Sequence, residues 1–280
     1  MIMEEEKMLN VDEVRLAARN MRQDIIKAIS AAGSGHPGGS LSAADILATL
    51  YFYKMNVDPQ NPDMANRDKF VLSKGHAAPA LYAALGRKGY FNVEEMYDLR
   101  KIGSIFQGHP DMKKIPGVEM STGSLGQGIS TAVGMAIANK LDGRKSKVYA
   151  LLGDGEIQEG IVWEAAMSAA HYKLDNLVAI LDNNGLQIDG RNDDVMKVAP
   201  IYEKFESFGW EVMEMDGHDI EEIAEKLDAA DEIEGKPVMI IARTVKGKGV
   251  SFMEDEAGWH GKAPNAEETE KALAELGGEQ

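Results

Sequence analysis

The sequence predicts an α/β protein with a mainly parallel sheet and helices on both faces. Three observations carry this. Short apolar, β-rich runs recur at KFVL (69–72), KVYALL (147–152), NLVAIL (176–181), WEVMEM (210–215) and PVMIIA (237–242). Most are separated by stretches with helical patterning, 77–89, 160–172 and 219–231, and strands that alternate with helices pair in parallel and are buried on both faces. Each run also stops at a polar, glycine-bearing loop: Ser73-Lys74-Gly75-His76, Gly153-Asp154-Gly155, Asp182 to Gly185, Asp216-Gly217-His218 and Arg243 to Gly249. A parallel sheet sends all such loops from one edge, where ligands of open α/β sheets bind.

Taken in chain order, Val11, Val14, Ala18, Met21, Ile25 and Ile29 repeat at three- and four-residue steps and predict a helix over 11–32. It should stop at GSGHPGG (33–39), a segment too rich in glycine and proline for a helix to cross. A second helix follows within 42–55, and STGSLGQG (121–128) opens another, rich in small residues. In the helix of 219–231, Asp219 with Glu222 three positions later reads as a capping box. The chain reads as one domain over 1–280, with 265–280 a polar, helical tail.

Composition narrows the function classes. The 280 residues are 44% hydrophobic, enough for a full core. Apolar runs fall far short of the ~20 residues of a membrane span, and the acidic start MIMEEEKMLN lacks the pattern of an export signal. There is no cysteine, hence no disulfide framework and no thiolate chemistry. Together these point to a cytoplasmic protein. A net charge of −16 disfavours nucleic acid as a partner. It also poses a problem for any phosphorylated ligand, whose charge must be offset locally by a metal, backbone amides or a few loop cations.

The sharpest constellation is GDG at 153–155 with Asn184 thirty positions after Asp154, each at a strand end with a helix between. A right-handed crossover puts both ends on one sheet edge. If the strands are neighbours, at about 4.8 Å, the Asp154 carboxylate and Asn184 amide oxygen can face one cation. These are hard donors, suited to Mg²⁺ or Ca²⁺, and two side chains leave the rest of the shell to water and substrate phosphates. Taken singly, GDG is an ordinary turn and NNG a hairpin-like turn signal.

GDG followed about thirty residues later by NN resembles the thiamine diphosphate signature. Together with SGHPGGSLSAADILATLY, LSKGHAAPALYAAL, GHPD, STGSLGQGISTAVGMAIANKL and TVKGKGVSFMEDEAGWHGKAP, it resembles the N-terminal, diphosphate-binding part of transketolase from about residue 12 to residue 264. The resemblance implies the thiamine diphosphate-binding fold, with thiamine diphosphate and Mg²⁺ as cofactors and Ca²⁺ or Mn²⁺ as substitutes. It implies Asp154, Asn184 and the Leu186 carbonyl as metal ligands, and His76, Gly123, Ser124, Leu125, Gly155, Asn184, Lys246 and His260 at the cofactor. His36, His109 and His260 would act on the donor sugar, and Glu159 would lie at a dimer interface, unless it is only a first-turn helix acid. Of the remaining histidines, His171 reads as a helix-end residue and His218 as turn and capping structure, while Lys248 reads as solvated.

The family's pyrimidine-binding domain has no counterpart in the residues after WHGKAP. The expectation is therefore a split transketolase: an N-terminal subunit that transfers a two-carbon ketol unit between sugar phosphates only with a separate C-terminal subunit, in a dimer of heterodimers. The runner-up readings are a subunit of a 2-oxoacid dehydrogenase or deoxyxylulose-phosphate synthase type, or a non-catalytic cofactor-binding subunit.

Overall fold

The computed structural model describes residues 8–277. The N-terminal segment read as lacking an export signal therefore lies mostly outside the described residues. Helix α1 spans Val11–Ala32, capped by the Asn10 side chain and closed by Gly33 at φ 62°, the left-handed conformation that favours glycine. Short helices α2 (Pro37–Ser42) and α3 (Ala44–Thr49) follow, and α3 runs into one π-helical turn, Leu50–Lys54. Helix α2 begins inside the segment expected to exclude helix. Pro37 sits at its first position, where a missing N–H costs nothing and a fixed φ helps.

Strand β1 (Lys69–Leu72) leads to α4 (Ala78–Lys88), α5 (Gln127–Leu141), β2 (Val148–Gly153), α6 (Gly160–His171) and β3 (Leu177–Asn183). After β3 come a small hairpin, β4 (Leu186–Gln187) with β5 (Gly190–Arg191), and helices α7 (Asn192–Val195) and α8 (Ile201–Ser207). Strand β6 (Glu211–Asp216), α9 (Ile220–Ala229), β7 (Val238–Arg243) and α10 (Ala266–Glu275) complete the order.

Among the described residues, five strands form one sheet in the order β1-β2-β3-β7-β6, with every pair parallel. Side chains alternate between two cores. Phe70, Leu72, Tyr149, Leu151, Val178 and Ile180 face the layer that includes α1, α3, α4 and α9. Val71, Ala150, Leu152, Ala179 and Leu181 face α5, α6 and α8. The crossover from β2 through α6 to β3 makes those strands neighbours, pairing Gly153 with Asp182.

Two expectations change. Asp219 caps α9 by accepting from Glu221 N and Glu222 N at 3.0 and 3.1 Å, but the reciprocated capping box lies instead at Asn265 and Glu268. The polar tail contains a docked helix: Ala272 and Leu276 join the core beside α1, and Gln23 donates to the Leu276 carbonyl at 3.1 Å. No described helix is long and apolar enough to cross a membrane.

Candidate active site

Because all five strands run the same way, their following loops meet at one edge. Those after β1, β2, β3 and β7 line a cavity of about 290 Å³ together with the start of α2, the 123–125 loop and His260. The loop after β6 does not reach it. Its His218 instead accepts the Val245 N–H of the loop after β7 at 2.8 Å.

Asp154, Asn184 and Leu186 all face this cavity. Asp154 is 2% exposed and accepts from Gly155 N at 2.8 Å and Gly185 N at 2.5 Å. Burial, then the nearby Asp182 carboxylate, pushes its pKa above the usual range. A carboxylate held this way gains from a cation. The Asn184 amide oxygen accepts from Leu186 N at 3.2 Å, and the Leu186 carbonyl accepts from Lys246 Nζ at 3.1 Å. No group of three or more His, Cys, Asp or Glu side chains among the described residues could hold a metal. The expected set needs only one carboxylate, one amide and one carbonyl, a hard-oxygen shell that fits Mg²⁺ completed by phosphate and water.

The cationic side of the cavity fits a phosphorylated group. Lys246 and Lys74 are each 2% exposed. Lys246 Nζ also donates to His260 Nδ1 at 3.0 Å, and burial followed by the charge of Lys74 lowers its pKa to about 8. Gly39 leaves space here: a Cβ on it would stand 3.5 Å from His76 Nε2 and 3.7 Å from Lys74 Nζ. His36, His76 and His260 form a triangle with ring centroids 5.1 to 5.4 Å apart. Burial is the largest cause of depressed basicity in all three, reinforced by Lys246, with His36 brought to about 4 and His260 to about 3. They are neutral at pH 7, and His36 Nδ1 is buried without a partner.

Of the remaining expected residues, Gly123, Leu125 and Gly155 line the cavity, whereas Ser124 is exposed and outside its lining. His109 is also exposed and off the lining, although its ring lies against Gly123. Glu159 is an exposed cavity residue at the N-cap of α6, where its side chain caps nothing. His171 ends α6, and Lys248 lies 3.7 Å from Glu254.

The chain matches the family described as transketolase, thiamine diphosphate binding domain, over residues 13–280. It belongs to the transketolase family. It is 45% identical over 259 residues to the 6-deoxy-6-sulfo-D-fructose transketolase subunit of Clostridium sp. strain MSTE9, covering 92% of this chain and 94% of that one. It is 44% identical over 268 residues to an apulose-4-phosphate transketolase subunit of Phocaeicola vulgatus, covering 96% and 95%. Among solved structures, transketolase from Campylobacter jejuni superposes with a TM-score of 0.91 at 36% identity. That match covers 97% of this chain but 44% of the C. jejuni chain. The chain is thus an enzyme subunit of the N-terminal, split-transketolase type.

Sequence reasoning missed three buried groups at this cavity. Lys74 donates to the Gly39 carbonyl at 2.8 Å and to Asp182. Asp182 is fully buried and also accepts from Ser42 Oγ at 2.5 Å and from Thr244 Oγ1. Burial works to raise its pKa, but Lys74 and these hydrogen bonds hold it below the usual range. Glu156 accepts from Ser73 Oγ, Gly126 N and Gly153 N at 2.5, 2.8 and 2.9 Å, joining three loops at the cavity. A charged residue two positions after Asp154, in a glycine-rich turn, was the available signal.

Proposed function

We propose that this chain is the cofactor-holding half of a split transketolase that moves a two-carbon ketol unit from a ketose phosphate to an aldose phosphate. The observation that carries it is the single cavity shared by Asp154, Asn184, Leu186, Lys246, His36, His76 and His260. Asp154, the Asn184 amide oxygen and the Leu186 carbonyl would hold Mg²⁺, and Lys246, His76 and the amides at Gly123, Leu125 and Gly155 the diphosphate. Ser124 would contribute through its backbone. Bound thiamine diphosphate supplies a carbanion and an electron sink.

The protein's own part is binding and proton handling. His36 and His260, neutral at working pH, can donate to or accept from sugar hydroxyl and carbonyl oxygens. His109, exposed beside Gly123, would meet the donor sugar from the open side. Lys74 and Lys246 offset phosphate charge inside an acidic protein. The names of the relatives support a partner: each is one subunit of a transketolase. A C-terminal subunit carrying the pyrimidine-binding domain would close the open side, in a dimer of heterodimers with Glu159 near the junction. A cytoplasmic location and a pentose phosphate role fit this reading.

The test is reconstitution. The isolated chain should show little ketol transfer, and addition of the C-terminal subunit should restore it with xylulose 5-phosphate but not with pyruvate as donor. Asp154→Ala in the assembled complex should lower the rate at least about a hundredfold and abolish the Mg²⁺ dependence of cofactor binding. Robust turnover by the isolated chain, or an unaffected Asp154→Ala complex, contradicts the reading.

A further inference from the structure

His218 lies outside the cavity, yet its ring joins α3 to the loop after β7, which lines it. Its Nδ1 is 2.8 Å from Asp45 Oδ2 on α3, and its Nε2 receives the Val245 N–H at 2.8 Å. Asp45 is in turn gripped by both terminal nitrogens of Arg22 on α1, at 2.9 and 2.5 Å. The side chains of Arg22 and Asp45 are each 9% exposed and that of His218 13%. These contacts fix the tautomer. Nε2 faces an N–H and must present a lone pair, so Nδ1 carries the proton and donates it to the carboxylate.

Val245 immediately precedes Lys246. A neighbouring contact tightens the junction: Gly217 N donates to the Arg243 carbonyl at 2.8 Å, and a Cβ on Gly217 would come within 2.4 Å of Thr244 Cγ2. The lysine's own contacts, 3.1 Å to the Leu186 carbonyl and 3.0 Å to His260 Nδ1, depend on where that backbone sits. We propose that His218, neutral and protonated on Nδ1, is a positioning residue that holds the 244–246 backbone and so aims Lys246 into the cavity. This rests on the reading of Lys246 as the cation that meets a phosphorylated cofactor. It replaces the expectation that His218 serves only turn and capping structure.

Two substitutions separate the halves of the ring. His218→Asn keeps a donor near Nδ1 for Asp45 but cannot reach Val245, whereas His218→Gln brings an acceptor close to the position of Nε2. In the full chain, without cofactor, His218→Asn should raise both amide exchange at Val245 and labelling of Lys246 by an amine-reactive reagent about tenfold. With Mg²⁺ and the C-terminal subunit, its Kd for thiamine diphosphate should rise about tenfold while kcat at saturating cofactor changes less than about twofold. His218→Gln should return each quantity to within about threefold of wild type. Imidazole ¹⁵N shifts of the wild type should report a bare Nε2.

Wild-type labelling of Lys246 in His218→Asn overturns the proposal, as does a protonated Nε2. A wild-type complex that binds no thiamine diphosphate would instead defeat the functional reading, and the labelling and ¹⁵N results would still decide the role of His218.

Discussion

Replacing Glu156 by alanine should cost the isolated chain about 3 kcal/mol of stability. The side chain is 2% exposed and satisfies one hydroxyl and two backbone N–H groups. A buried donor left without a partner costs about 1–3 kcal/mol, so three sum to roughly 3–6 kcal/mol after allowing for shared relaxation. Part is returned, because the buried carboxylate is itself unfavourable; burial raises its pKa despite those bonds. Urea titration of wild type and Glu156→Ala gives the difference directly, and the thermal midpoint should fall by about 6–12 °C for a chain of this size. Glu156→Gln keeps one acceptor oxygen but turns an NH₂ toward a donor, and should lose roughly half as much. Amide exchange at Gly126 and Gly153 should accelerate beyond the global change. A loss below about 1 kcal/mol for Glu156→Ala, or equal exchange at these two glycines, refutes the clamp.

Helix α5 offers paired substitutions of opposite sign. A Cβ at Gly128 would stand 2.5 Å from Ser73 Cα, so Gly128→Ala should destabilise by about 2–4 kcal/mol, whereas Gly134, with nothing within 4 Å, should gain about 0.5–1 kcal/mol as alanine; urea denaturation checks both. Lys74→Met should cost about 3–5 kcal/mol by stranding the fully buried Asp182 carboxylate, and Lys74→Met with Asp182→Asn should recover most of it in the same assay. The cavity histidines set a pH dependence. Their folded pKa values lie below the unfolded value of 6.5, at about 4 for His36 and about 3 for His260. The unfolded chain therefore binds more protons between these limits, and stability falls as pH drops through 6.5 toward 4. Discounted for partial exposure, the two together should remove about 2 kcal/mol between pH 7 and pH 5, a slope that His36→Asn with His260→Asn should flatten in urea titrations at each pH.

The fold was legible because its signals are local. The apolar runs lie within one or two residues of the observed strands, and α1 was bounded by its period, which starts at Val11, and by the glycine- and proline-rich segment after Ala32. The proximity of Asp154 and Asn184 was legible for a related reason: they directly follow adjacent strands, so their neighbourhood follows from the crossover rule. Failures came where position depends on contacts far along the chain. Lys74 looked like any loop lysine, and only its pairing with Asp182, 108 positions away, shows it to be buried. Ser73 and Gly126, which Glu156 joins, lie 83 and 30 positions from it. Proline at 37 read as a helix breaker although at a first-turn position it starts a helix.

The charge problem posed by the sequence also turns on location. A net charge of −16 describes the whole surface, and exposed charges farther than about 8 Å are screened at physiological salt. Lys74 and Lys246 are screened far less because both are almost fully buried at the cavity wall. Their effect can be read from their neighbours: Lys246 depresses the basicity of His36, His76 and His260, and Lys74 that of His76 and His260. Burial is the main reason these rings stay neutral, and the lysine field that adds to it favours an anion in the space between them. Neutral rings are also what the proposed chemistry needs, since a protonated imidazole could donate but no longer accept. The acidic exterior is thus compatible with anion binding at the cavity, because two buried lysines stand at its wall, Lys246 facing it and Lys74 paired with Asp182.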